Sequence, residues 1–330
     1  MSFEVGFAPS RLRCGADAST DLLTAARAAG IAVRQACRNG VCEICEAQLL
    51  SGAVRNTRNG DAQCAPATVL LCRALALSDC LFQIEGLMGP GELPNQTLAF
   101  RVGGIEPLNH DVYRVRLMAS PGRRPAFHAG QYLSVNLPGL EPAWFSIASA
   151  PDAPDIELHI QASPDWTSAQ RVIEHLRDQP SVQVSLPFGK ACLASVPPQP
   201  LVLVVAGTGF AQAKSVLDYV LAQPACGPVT LYWGVRRAQD MYLADLPRQW
   251  ARQYPAFRFV PVMGDSEDND WPGHHDQLVA AVRAGGHDWT ATQVLASGSP
   301  GMVYTLLDAL TADGLPSAAF LSDVLEYAPR

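Results

Sequence analysis

The chain has 330 residues, with 24 Lys and Arg against 31 Asp and Glu, for a formal net charge of −7. Its 48% hydrophobic and 17% charged residues describe a globular protein, and its length implies two or three domains rather than one core. The acidic balance and the lack of a Lys/Arg run argue against nucleic acid as a partner. No apolar run reaches the roughly 18 residues needed to span a membrane.

Residues 1–90 open on an alternating strand, FEVGF. A helix pattern follows in TDLLTAARAAG, with Thr20 or Asp21 as cap and Gly30 as stop. A cysteine-rich loop and a strand, EAQLLSGAV, complete an order that suits a small β-grasp domain. The Gly/Pro-rich stretch 86–96 reads as a linker. Residues 97–195 hold several short strand patterns separated by Gly, Pro and Asn turns. One helix interrupts them, TSAQRVIEHLRDQ, capped by Thr167 or Ser168. Many short strands with one helix predict an antiparallel β-barrel. Residues 198–330 alternate strand and helix, beginning with the buried-strand pattern LVLVVAG and the helix AQAKSVLDYVLAQ. That βα alternation predicts a doubly wound parallel sheet, the usual home of a nucleotide site. The fold class is therefore multidomain, α+β followed by α/β.

The chain has nine cysteines and an N-terminus without the pattern of a secretory signal, which points to a reducing cytoplasmic compartment. Cys37, Cys42 and Cys45 are spaced C-x4-C-x2-C, the plant-type spacing for a 2Fe–2S cluster. Asn39 and Gly40 let the loop fold around such a cluster and aim amides at sulfur, and Gly40 takes positive φ at no steric cost. Cys72, inside the apolar segment TVLLCRALAL, fits best as the fourth ligand. A zinc site usually needs two CxxC or CxxH pairs, and here only Cys42 and Cys45 make one. Cys14, Cys64, Cys80, Cys192 and Cys226 read as small buried hydrophobes. Ile44 is expected to shield the cluster, and Glu43 to lower its potential.

In the third segment the turn AGTGF, 206–210, follows a strand and opens a helix. Gly207 and Gly209 would let backbone amides approach a pyrophosphate at the helix N-terminus. By itself the turn is equally an ordinary tight βα connection. A second glycine turn, SGSPGM at 297–302, ends a later strand, and the two together suit a nicotinamide nucleotide cleft. Arg236 and Arg237 follow the strand VTLYWGV, either as an adenosine-phosphate contact or as a solvated pair. His128 and His159 read as structural side chains, and His274 and His275 as solvated loop residues.

All three segments resemble ferredoxin–NAD(P)H reductases of the ferredoxin-plus-flavin-reductase type, such as oxygenase reductase components and CDP-6-deoxyhexose reductases. The last two also resemble NAD(P)H:flavin reductases. The resemblance rests on the cysteine loop, GQYL, WFSIASAP, LPFG, VAGTGF, LYWGVR, SGSPGMV and SDVLEYAPR. It implies FAD in the barrel, NADH or NADPH in the third segment, and a protein electron acceptor, either oxygenase-like or dehydratase-like. Cofactor contacts are implied at Gln131, Tyr132, Trp144, Phe145, Ser146 and Gly189. On the nucleotide side they fall at Gly207, Thr208, Gly209, Gly298 and Pro300. Ser146, at the flavin N5 edge, and Ser297 take catalytic roles. NAD(P)H gives two electrons together and a 2Fe–2S centre takes one, so a flavin must stand between them.

The chain departs from the family pattern in places. The motif Arg-x-Tyr/Phe-Ser, whose arginine holds the FAD pyrophosphate, reads Ala143-Trp144-Phe145-Ser146 here. A second arginine is replaced by Gln161, a Gly-Gly pair by Asp165-Trp166, and the aromatic residue over the flavin by Leu325. At about 1.5–3 kcal/mol per charged hydrogen bond, each lost arginine weakens flavin binding about tenfold to a hundredfold. Tightly held FAD, exchangeable flavin and a flavin-free carrier or scaffold all stay open, with Arg101, Arg114, Arg171 or Lys190 as substitute clamps and Trp144 as a stacking platform.

Overall fold

The computed structural model describes residues 2–163, 167–224, 226–264 and 271–330. The chain forms two compact units, Met1–Pro94 and Asn95–Arg330. The replaced pair Asp165-Trp166 lies outside the described residues, as does the side chain of His274.

In the first unit, β1 (Ser2–Ala8) and β2 (Leu12–Asp17) form a hairpin, and α1 (Leu22–Ala28) follows. Asp21 caps α1, its carboxylate accepting the Thr24 amide at 2.9 Å. Gly30 ends the helix at φ +76°, where a Cβ would be strained. Strands β3 (Glu46–Ser51), β4 (Ala53–Asn56), β5 (Ala62–Cys64), β6 (Ala67–Leu70), β7 (Ala74–Ala76) and β8 (Cys80–Gln83) complete the unit. The main sheet has the order β2-β1-β8-β3-β6, with β1 parallel to β8, and β5-β4-β7 make a small second sheet. Alternation in β1 and β3 sends Val5, Phe7 and Leu49 to a core shared with Leu22 and Leu23 of the helix. This is the expected β-grasp arrangement, and it leaves the cysteine loop between α1 and β3. Cys14 and Cys80 are buried as expected, but Cys64 is exposed. It stands on the outward face of the short edge strand β5.

The second unit begins with strands β9 (Gln96–Pro107), β10 (Val112–Met118), β11 (Tyr132–Asn136), β12 (Ala143–Ser146) and β13 (Ile156–Gln161). Helix α2 (Thr167–Asp178) and β14 (Ser181–Phe188) follow. The six strands pair antiparallel in the order β12-β11-β14-β9-β10-β13, and the bridge Ile147–Leu158 joins the two edges into a nearly closed barrel. Closure removes the edge strands that would otherwise pair with other chains.

The remainder alternates β15 (Leu201–Ala206), α3 (Phe210–Leu221), β16 (Val229–Val235), α4 (Asp245–Gln253) and β17 (Phe257–Met263). It continues through α5 (Trp271–Arg283), β18 (Gln293–Ser297), α6 (Pro300–Ala312), β19 (Phe320–Leu321) and the short α7 (Val324–Tyr327). All pairings are parallel, in the order β17-β16-β15-β18-β19. The chain moves one way from β15 through β16 to β17, then crosses back to β18. The topological switch point therefore lies between the carboxyl ends of β15 and β18, where open α/β sheets bind ligands.

Helix α3 joins the parallel sheet to the barrel. The Gln212 amide donates to the carbonyl oxygens of Gly130 and Ala191 at 2.7 and 3.1 Å, and the Ser215 hydroxyl donates to that of Ser149 at 2.7 Å. Beside them, Glu157 accepts from His159 at 2.7 Å and pairs with Lys214 at 3.5 Å and Arg114 at 3.3 Å. Burial pushes the Glu157 carboxyl up, but those partners outweigh it and hold the group at about 2. His159 is buried between Glu157 and the Tyr242 hydroxyl, 3.0 Å away, and is a structural side chain.

Candidate functional site

The cysteine loop is built from backbone amides aimed at sulfur. The amides of Asn39 and Cys42 donate to Cys37 Sγ at 3.5 and 3.3 Å, and the Cys37 amide donates to Cys42 Sγ at 3.5 Å. Those bonds favour the thiolate and hold the half-buried Cys37 at about 6. The loop is wound tightly, with positive φ at Arg38, Gly40 and Glu43. Gly40 is the position where this demand is sterically closed, because a Cβ there would lie 2.9 Å from Arg73 Cγ. Cys72 sits in the 3-10 turn Leu71–Arg73, where burial and its contact with Cys45 push its thiol up to about 11.

The thiols thus meet as two pairs, Cys37 with Cys42 and Cys45 with Cys72, and Cys72 also feels the charge of Cys37. Among the described residues, no three metal-type side chains gather around one point as a mononuclear site requires. A two-iron cluster takes two thiolates per iron, so the paired arrangement fits it. Iron binding would deprotonate Cys72 outright, offsetting the cost of a buried thiolate. Val41 and Ile44 flank the ligands at 68% and 47% exposure, so Ile44 covers the loop only in part.

The second site is a cavity of about 580 Å³ at the switch point, a size typical of small-ligand pockets. Tyr132, Trp144, Phe145 and Ser146 form its barrel wall, and Ser297 and Gly298 come from the end of β18. Folding therefore brings together both predicted serines and the aromatic residues. Trp144 meets Phe188 edge-on at 4.9 Å and Tyr132 at 5.7 Å, giving an aromatic wall with Trp144 53% exposed. Such a wall suits a flat ring system.

The remaining predicted contacts surround the cavity rather than line it. Gln131 is a strut: its Oε1 accepts the His128 amide at 2.7 Å, and its Nε2 donates to the Gly189 carbonyl at 3.0 Å. A Cβ on Gly189 would collide with Asp323 and the Tyr132 ring at 2.7 and 2.8 Å. Gly207, Thr208 and Gly209 form the turn between β15 and α3. Gly207 has φ +53° and open space where a Cβ would be, the form of a turn that a ligand can approach closely. Gly209 instead packs on β18, where a Cβ would stand 2.3 Å from the Ser297 carbonyl oxygen. Pro300 opens α6 behind the Ser299 cap.

Six cavity-lining residues escaped the sequence reading, and three of them carry polar or aromatic groups that shape the site. Tyr327, 63% exposed, supplies the C-terminal aromatic side chain, while Leu325 packs on the core of the parallel sheet. Gln212 and Asp323 come from opposite ends of the domain and bond to each other at 2.9 Å. Asp323 also accepts the Ala191 amide at 3.1 Å, and burial pushes its carboxyl up to about 6. Among the described residues, no Lys, Arg or His lines the cavity, so none of Arg101, Arg114, Arg171 and Lys190 replaces the clamp there. Gln161 is committed elsewhere, donating to Asp111 at 2.7 Å.

A thiolate loop in one unit and a nucleotide cleft in the other define an iron–sulfur, nucleotide-dependent oxidoreductase. Known proteins agree. Residues 8–77 match a 2Fe-2S iron-sulfur cluster binding domain, and residues 203–307 an oxidoreductase NAD-binding domain. The chain is 31% identical to terephthalate 1,2-dioxygenase reductase component 2 of Comamonas sp., covering 93% of each chain. It is 27% identical to the CDP-6-deoxy-L-threo-D-glycero-4-hexulose-3-dehydrase reductase of Yersinia pestis, over 98% of each. In fold it matches the ferredoxin reductase of carbazole 1,9a-dioxygenase at TM-score 0.60 and 20% identity, over 98% of both chains. The protein belongs to the family of ferredoxin-fused NAD(P)H reductases that contains the oxygenase reductase components and the hexulose dehydrase reductases. No described helix is long and apolar enough to cross a membrane.

Proposed function

We propose that this protein takes hydride from NADH or NADPH at the switch-point cavity and passes single electrons, by way of a flavin, to a 2Fe–2S cluster held by Cys37, Cys42, Cys45 and Cys72. The cluster then delivers them to a separate protein, an oxygenase or a deoxysugar dehydratase. The observation that carries this reading is the pairing of two sites in one chain. One is a three-thiol loop joined by Cys72 of the Leu71–Arg73 turn, which suits a cluster that works in one-electron steps. The other is an aromatic-walled cavity at a nucleotide switch point, where two-electron donors bind. FAD supplies the conversion between the two when bound. Tyr132, Trp144 and Phe145 offer a wall for its ring, and Ser146 offers a hydroxyl beside it. Support for particular partners comes from the relatives, which serve a dioxygenase and a dehydrase.

Cys72→Ser tests the direction of flow. We expect it to keep NADH-dependent dye reduction within about twofold and to cut reduction of a one-electron protein such as cytochrome c at least about a hundredfold. Cytochrome reduction at the wild-type rate would sink the cluster as exit port.

A second reading is favoured by the lack of a basic side chain among the described residues that line the cavity. With Ala143 in place of an arginine and Gln161 bonded to Asp111, no described lining residue offers a cationic clamp for a pyrophosphate. The flavin then binds, is reduced and leaves, and its loss on desalting distinguishes this route from a resident cofactor.

A further inference from the structure

Arg73 directly follows the fourth cysteine and lies against the cluster loop. Its Cγ and Nε stand 2.9 and 3.5 Å from the position a Gly40 Cβ would take, so the glycine exists to admit this stem. The Arg73 carbonyl is anchored by the Thr57 amide at 2.8 Å, which fixes where the side chain starts. Its Nε is shut off from solvent and has no hydrogen-bond partner. Among the described residues the guanidinium has no hydrogen bond or ion pair at all. A buried N–H left unsatisfied costs about 1–3 kcal/mol, more when it belongs to a charged group. Proteins rarely leave such a donor without an acceptor, and water cannot reach this one. No acceptor in the folded chain alone meets it, so the acceptor must be one that a bound group brings into place.

The cysteine loop that Arg73 packs against at Gly40, and Cys72 next to it in the chain, say what that is. We infer that Arg73 tunes the cluster: its Nε–H donates to a cluster sulfur, either a cysteine thiolate or a bridging sulfide, and its charge faces the same group. An oxidised cluster with four thiolates is doubly negative, and one electron makes it triply negative. A fixed cation and a hydrogen bond to sulfur both favour the more negative state, and so raise the reduction potential. Loop amides aimed at Cys37 act in the same direction, but they leave the charge unbalanced. Arg73 is the one cation whose placement against this loop is enforced by a glycine among the described residues. It is a positioning residue, acting on the cluster and not on NADH or flavin.

The inference rests on the cluster reading above, so the test separates the two. Iron and acid-labile sulfide are measured first on the wild-type full chain. The cluster is then titrated against redox dyes and followed by its electron paramagnetic resonance signal, in wild type, Arg73→Lys and Arg73→Met. Lysine keeps the charge and loses the Nε–H, and methionine loses both. We expect Arg73→Met to bind iron normally and to show only about a tenth of its clusters reduced at the wild-type midpoint. That is a tenfold change in the equilibrium, or ~59 mV for one electron. Arg73→Lys should move the same way by less. Variants that titrate at the wild-type midpoint would overturn the inference and leave the cluster intact. If Arg73→Met fails to assemble, Arg73→Lys decides, and an unshifted midpoint there overturns the Nε–H bond. A wild-type chain that takes up no iron overturns both.

Discussion

The cluster loop and the switch-point cavity hold their electron carriers in opposite ways. In the loop, three ligands fall within nine residues, and the chain wraps them with its own amides. The cavity draws its lining from Tyr132 to Tyr327 and exists only once the barrel and the parallel sheet are assembled. The loop region is polar, with two pairs of thiols, amides aimed at sulfur and the stem of Arg73 against Gly40. The cavity is aromatic and nearly uncharged, with Asp323 the one acidic lining residue among those described. A cluster must be bonded, whereas a ring can be gripped by shape, so we expect the loss of a ligand to cost the loop more than the loss of a clamp costs the cavity. That contrast is open to several tests.

The largest effect is expected where the cavity depends on backbone contact. A Gly209→Val side chain would begin 2.3 Å from the Ser297 carbonyl, and neither backbone can yield without moving the nucleotide turn. We expect about 1–3 kcal/mol of destabilisation by chemical denaturation and at least a tenfold rise in KM for NADH. Unchanged binding would mean that the turn does not carry the nucleotide.

Restoring the clamp should sharpen the difference between the two sites. Ala143→Arg is expected to tighten flavin about tenfold to a hundredfold, measured by fluorescence quenching, while cluster content stays constant. No gain would show that the pyrophosphate lies elsewhere. A smaller loss is expected from Ser146→Ala, about tenfold in NADH-dependent dye reduction, the value of one hydrogen bond to a reacting ring. An unaltered rate would remove Ser146 from its catalytic role.

The gentlest test concerns Asp323. Its folded value of about 6 lies above that of an unfolded aspartate, near ~3.9. The neutral form is therefore the stabilised one. Its contribution is full below about pH 4 and is lost as pH rises through about 6, amounting to at most about 3 kcal/mol. Asp323→Asn should flatten the fall in melting temperature between about pH 4 and pH 7. An identical pH profile would place the titration on another group.

The same contrast explains what the sequence disclosed. The cysteine spacing was legible because the ligands are local and the chemistry accepts few substitutes for sulfur. The three-part fold was legible from its periodicities, since period-2 alternation, a single helix and βα repeats each leave their own pattern. Tyr327 was hidden two positions beyond Leu325, because the last turn decides which of them faces the cavity. The Gln212–Asp323 bond joins residues 111 positions apart, and no local pattern announces it. Arg73 was illegible for another reason, as its meaning lies in a missing partner that appears only when the loop is folded.

The central claim is that NADH, flavin and cluster form one electron path in this chain. It is tested most directly by the absorption spectrum of anaerobically purified protein, recorded before and after desalting and again after adding NADH. The account predicts broad cluster absorption and, with bound or added FAD, a flavin band near ~450 nm, both bleached by NADH. A spectrum that NADH leaves unchanged even with FAD supplied would contradict it.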